Sequence, residues 1–141
     1  MASLVYNSFK KDIQNGNIDL DTDTIKVMLV TSSYAADRDA HTKRSDITNE
    51  VSGTGYSSGG AALANKSVTQ DNTDDEGVFD ADDQVWSSSS ITARGAVLYK
   101  SRGGASSADE LICYIDFGAD IISTNGNFTI TWNAEGILNL N

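Results

Sequence analysis

The chain of 141 residues contains no proline, one cysteine, one histidine and four glutamates. Average usage of about 5% would place roughly seven prolines in a chain this long, so their absence excludes Pro-rich ligands and disordered spacers. A single cysteine, Cys113, excludes an internal disulfide. Its neighbours Leu111-Ile112-Cys113-Tyr114-Ile115 read as a strand, which makes it an inert buried thiol rather than a nucleophile. No run approaches the roughly 18–20 apolar residues of a membrane helix, and the N-terminus lacks a charged segment followed by an apolar one. The expectation is therefore no membrane partner and synthesis in the cytoplasm. Positive charge is equally scarce: Lys and Arg total 10 against 20 Asp and Glu, for a net charge of −10. The longest basic runs are Lys10-Lys11 and Lys43-Arg44, too little to neutralise a phosphate backbone, so no nucleic-acid partner is expected.

What is abundant points to strands and turns. The carboxylates are 16 Asp and 4 Glu, accompanied by 17 Ser, 12 Thr and 11 Asn. Asp, Asn and Ser favour caps and turns over helix interiors, so this composition favours short strands joined by polar turns. The length suits one domain, 1–141. Leu4, Val5, Phe9 and Ile13 recur at helical spacing over residues 3–14, with Ser3 as the N-cap and Gly16 ending the helix. This predicts an N-terminal helical arm over 1–16. Ile25-Lys26-Val27-Met28-Leu29-Val30 reads as a central strand covered on both faces.

Residues 31–50 lose all periodicity apart from one helical turn near Arg44-Ile47, and a loop of about twenty residues in a compact domain is a contact element. Four glycines in 51–60 mark sharp turning. A weak strand is expected over 61–68 and a charged hairpin tip over 70–77. Further strands follow at 78–81, 85–86, 91–99, 111–117, 128–132 and 137–140. Phe128, Ile130 and Trp132 alternate with threonines and should bury one face, together with Trp86 and Tyr114, and Asn125-Gly126 is a hairpin signal. The fold class is mainly β: a β-sandwich or small barrel of about seven or eight antiparallel strands with a short N-terminal helix.

Few constellations carry chemistry. Asp19-x-Asp21-x-Asp23 begins like a calcium loop, but Thr24 and Val30 stand where that loop needs glycine and a bidentate glutamate. Looser cation binding by Asp19, Asp21 and Asp23, or by Asp80, Asp82 and Asp83, competes with a reading as acidic turns. Gly53-x-Gly55 with Gly59 and Gly60 lacks the strand-to-helix context of a dinucleotide site and the Gly-Lys of a P-loop. A Cys113/His41 pair would need a strand residue brought to a polar loop. No catalytic residue and no cofactor is expected.

The string Asp21-Thr22-Asp23-Thr24-Ile25-Lys26-Val27-Met28-Leu29, then Thr31-Ser32, then Asn49-Glu50-Val51-Ser52-Gly53-Thr54-Gly55-Tyr56 with Gly59-Gly60, resembles a family of small tailed-bacteriophage structural proteins. The resemblance continues in order through Phe79-Asp80-Ala81-Asp82-Asp83, Trp86, Thr92-Ala93-Arg94, Ala96-Val97-Leu98-Tyr99-Lys100, Tyr114-Ile115-Asp116-Phe117-Gly118 and Phe128-Thr129-Ile130-Thr131-Trp132. Two places depart from the pattern: His41-Thr42-Lys43-Arg44, where aromatic residues would follow the histidine, and the Gly/Ser-rich stretch 101–109. The resemblance implies a capsid decoration, or cement, protein on the outer head surface of the virion, bound to the major capsid protein or other virion proteins. It also implies a homo-oligomer, with a trimer the leading form. Leu4, Val5, Tyr6, Phe9, Ile121 and Ile122 are the expected interface residues. A neck, tail or baseplate-associated protein, or a host-surface carbohydrate-binding module with exposed aromatics, is the alternative reading.

Overall fold

A computed structural model describes residues 2–141, so the part of the expected arm at Met1 lies outside the described residues. The chain is mainly β, antiparallel and sandwich-like, with one short α-helix. In chain order the elements are β1 (Leu4–Val5), α1 (Asn7–Gln14), β2 (Ile25–Val30), β3 (Ala61–Ala62), β4 (Ser67–Asp71), β5 (Glu76–Asp80), β6 (Gln84–Ser89), β7 (Thr92–Lys100), β8 (Leu111–Ile122), β9 (Gly126–Ile130) and β10 (Leu138–Leu140), with 3-10 turns at Arg44–Asp46 and Ser106–Ala108. They form a five-stranded sheet β1-β8-β7-β2-β3, a three-stranded sheet β10-β5-β4 and the pair β6-β9. The ten strands exceed the seven or eight expected because β1 and β3 are two-residue pairings, below what a hydrophobic pattern can reveal.

β2 is a central strand covered on both faces, as its unbroken apolar run predicts. Ile25, Val27 and Leu29 enter the main core with Ala96, Leu98, Phe79, Trp86 and Phe128, whereas Met28 and Val30 enter a second cluster with Tyr34, Val97, Tyr99 and Tyr114. The second cluster is closed by the chain's own 31–50 loop, with Tyr34 buried and Ala36 and Ile47 packed against it. This loop is anchored by charge. Arg44 Nε meets Asp109 Oδ2 at 2.8 Å, and its guanidinium lies 5.1 Å from the centre of the Tyr99 ring. Glu110 takes a two-pronged bond from Arg102 at 2.6 and 2.9 Å, with Lys43 3.6 Å away. Asp109 and Glu110 are both buried, and these donors replace the water they lose.

The N-terminus departs from the helical expectation. Leu4 and Val5 pair as a strand with Tyr114 and Cys113. Ser3 does not cap a helix; its Oγ accepts the Asp116 N–H at 2.9 Å. The helix begins at Asn7, whose N–H donates to the Arg38 carbonyl at 3.1 Å, so the long loop supplies the cap. Gly16, with φ +78°, follows the helix end as expected. The 61–68 segment splits into β3 and the start of β4. Asn125-Gly126 does not close a hairpin: β8 pairs with β7 and β9 with β6, so this turn carries the chain from one sheet to another.

Two adjacent crossings make a bent ribbon. β6 passes into β7 and β8 into β9 side by side, and the bend is held by Ser89, whose Oγ lies 2.8 Å from Ser123 Oγ and 3.0 Å from the Trp86 and Gly126 carbonyls. Ser123 Oγ in turn accepts the Ile91 N–H at 3.2 Å. The 51–60 loop is equally determined. Gly60, at φ +76°, approaches β2 so closely that a Cβ would sit 1.8 Å from the Val27 oxygen. Tyr56 Oη accepts the Leu29 N–H at 2.9 Å and donates to Glu50 Oε2 at 2.6 Å, completing the β2 edge where β3 stops short.

Candidate interaction surface

The residues expected to carry chemistry are not brought together. Cys113 is buried in the main core, and burial pushes its thiol up to about 12. His41 lies with Tyr34 over the opposite face of the five-stranded sheet, its Nδ1 2.9 Å from Tyr34 Oη and accepting the Asp37 N–H at 3.2 Å. The sheet therefore separates Cys113 from His41. Tyr34 Oη also lies 2.7 Å from Tyr6 Oη, and burial raises the Tyr34 phenol to about 12 and Tyr6 further still.

The acidic turns are occupied by backbone. Asp19 Oδ1 accepts the N–H groups of Asp21 and Thr22, and the Thr22 hydroxyl together with these backbone bonds holds its carboxyl below the ordinary range. Asp23 Oδ2 accepts the Asp19 N–H and pairs with Lys100 at 2.9 Å. Asp21 stays exposed at the turn, so this triad acts as a turn staple rather than a convergent ligand set. Asp82 Oδ2 accepts from Asn65 Nδ2 and Asp83 Oδ1 from the Trp132 N–H, again binding loops. Among the described residues, the one group of three acidic side chains whose oxygens all lie within 4.8 Å of one another is Asp71, Asp74 and Glu76 at the β4–β5 hairpin tip. Asp71 Oδ1 there accepts the Thr73 and Asp74 N–H groups, the pattern of a capped turn.

The expected interface residues divide sharply. Tyr6 is fully buried and Phe9 nearly so, because the segment crosses the sheet edge and places Tyr6 in the second cluster and Phe9 in the main core. Neither is available to a partner, and their helical spacing reflected packing within the chain. Leu4 and Val5 are half-buried beside β8, and Ile121 and Ile122 are exposed at the far end of β8. Val68, Val85 and Leu140, which the sequence reading did not single out, are also exposed. Their short strands gave no periodicity by which to tell a solvent face from a core face.

The aromatic side chains do not form an open platform. Trp86 and Tyr114 are buried, and Trp132 is half-buried with its Nε1–H donating to the Asp82 carbonyl at 2.8 Å. Phe128 and Ile130 face the core as the alternation predicts, while Trp132 lies just beyond the end of β9. A groove of about 490 Å³ between β8 and β9 is lined by Phe117, Ile121, Thr129 and Trp132. Within β8 the register skips between Gly95↔Asp116 and Ala93↔Ile121, so residues 117–120 bulge, with Gly118 at φ +81° and its N–H on Asp116 Oδ1 at 3.0 Å. The bulge interrupts the β8 edge and blocks strand addition there. No described helix is long and apolar enough to cross a membrane. A scan against protein-family models and searches of curated proteins and solved structures return no match.

Proposed function

We propose that this chain is a non-enzymatic structural component of a bacteriophage virion, of the capsid decoration type, made in the host cytoplasm and bound to the outer surface of the assembled head. The observation that supports this reading most is where the exposed apolar side chains lie. Val68, Val85, Ile121, Ile122 and Leu140 all sit on strands at sheet margins, outside any enclosed cavity, and belong to a frame whose loops are tied down by buried ion pairs. Such a surface suits docking on a repeated protein lattice. The ordered resemblance of the sequence blocks supplies the identity of that lattice.

The physical role follows from linkage. A protein that binds only the assembled shell stabilises it by mass action, in proportion to occupancy. A net charge of −10 keeps the free protein soluble and away from the genome. Copy number in purified particles tests the reading. A stoichiometry comparable with the major capsid protein is expected; a handful of copies per particle would assign the chain to the neck, tail or baseplate instead.

A further inference from the structure

Two grooves meet along β10. Leu138 lines one of about 420 Å³ with Leu4, Val5, Lys10 and Arg38. Leu140 lines the other, of about 690 Å³, with Val68, Asp75 and Glu76. Leu138 and Leu140 share one face of their strand. The register places Val68, Phe79 and Leu138 in one row and Gln70, Gly77 and Leu140 in the next. Phe79 is buried, yet Val68 is 52% and Leu140 70% exposed. The core-facing side of the three-stranded sheet thus runs on past the core as an uncovered apolar strip.

The two ends of this strip carry opposite charge. The hairpin end holds Asp71, Asp74, Asp75 and Glu76, and the α1 end holds Lys10 and Arg38. Among the described residues none of these six forms a salt bridge, whereas Lys11, Lys43, Arg44, Arg94, Lys100 and Arg102 all do.

We propose that the strip is covered by a second copy of this chain. The acidic hairpin of one copy lies against Lys10 and Arg38 of the other, with Val68 and Leu140 packed on Leu4 and Val5. Two chains of charge −10 repel at long range, so a stable contact between copies must bring opposite charges together. This strip supplies both halves of such a contact. The contact forms in solution without any particle, so it stands or falls separately from the virion reading.

The test uses two variants changed only at exposed positions. In one, Lys10→Glu and Arg38→Glu reverse the basic end; in the other, Asp74→Lys and Asp75→Asn remove most of the charge of the acidic end, leaving only Asp71 and Glu76 against one lysine, asparagine tolerating the φ of +58° at residue 75. Sedimentation velocity should show the unaltered chain self-associating and each variant associating at least about tenfold more weakly, with a melting temperature equal to that of the unaltered chain at dilutions where all are monomeric. The hairpin variant is the sharper arm, because it carries less net negative charge than the unaltered chain and would associate more strongly if overall repulsion alone governed the contact. An unaltered chain that stays monomeric at every concentration overturns the proposal. So does an oligomer that survives in both variants, or a hairpin variant that associates more strongly than the unaltered chain.

Discussion

Ser89 is fully buried where the paired crossings between sheets bend, and its hydroxyl meets two carbonyls and the Ser123 hydroxyl. Alanine there would strand those acceptors without water, at a cost of about 1–3 kcal/mol, read as a lower urea midpoint with unchanged slope. Gly60→Ala is harsher, because the new methyl meets Val27 backbone at 1.8 Å and φ is +76°. A loss of at least about 3 kcal/mol is expected, with little folded protein recovered. Glu110 carries the clearest pH signature. Burial alone would raise its pKa, but the Arg102 hydrogen bond and the Lys43 charge hold it below the ordinary 4.5. Its folded value being depressed, its contribution is complete above 4.5 and is lost as pH falls through the folded value. Acid unfolding of Glu110→Gln should accordingly show a shallower loss of stability below that pH, while an unaltered slope would remove the ion pair from the account.

At the scale of elements, the 31–50 loop is the instructive case. It is a lid on the second cluster, pinned by Arg44 and closed by Tyr34. Tyr34→Ala should cost about 3–5 kcal/mol and open the loop to trypsin at Lys43 and Arg44, sites expected to resist cleavage in the unaltered chain. The sequence displayed β2 to the residue because its apolar run is long and uninterrupted. The Phe128 and Ile130 face and the acidic hairpin tip were legible for similar reasons of period and turn chemistry. The lid was not, since a single buried tyrosine among Ser, Ala and Asp has no period. The N-terminal segment misled because Leu4, Val5, Phe9 and Ile13 fit a helix equally well, and only the pairing of Leu4 with Tyr114 decides for strand. Of the candidate surface, Leu4, Val5, Ile121 and Ile122 were visible as apolar residues, but which of them face out depends on distant partners. Val68 and Leu140 emerge only from the register of β4, β5 and β10.

For the molecule as a whole, the scarcity of basic residues acquires a structural meaning. Among the described residues, six of the ten lysines and arginines form salt bridges, four of them fastening the long loop and the strand ends around Asp23, Asp109 and Glu110. The acidic excess is left on exposed turns, notably at the hairpin tip. Such a frame is rigid inside and charged outside, with apolar side chains placed on its margins. On the reading proposed above, these properties serve a shell: occupancy of the lattice adds the protein's binding free energy to the shell's resistance to disruption. The direct measurement is the heat stability of purified expanded heads, followed by release of packaged DNA, with and without saturating purified protein. The account predicts binding to assembled heads, no binding to free capsid subunits and a higher release temperature on addition. Heads that neither bind the protein nor gain heat resistance would contradict it.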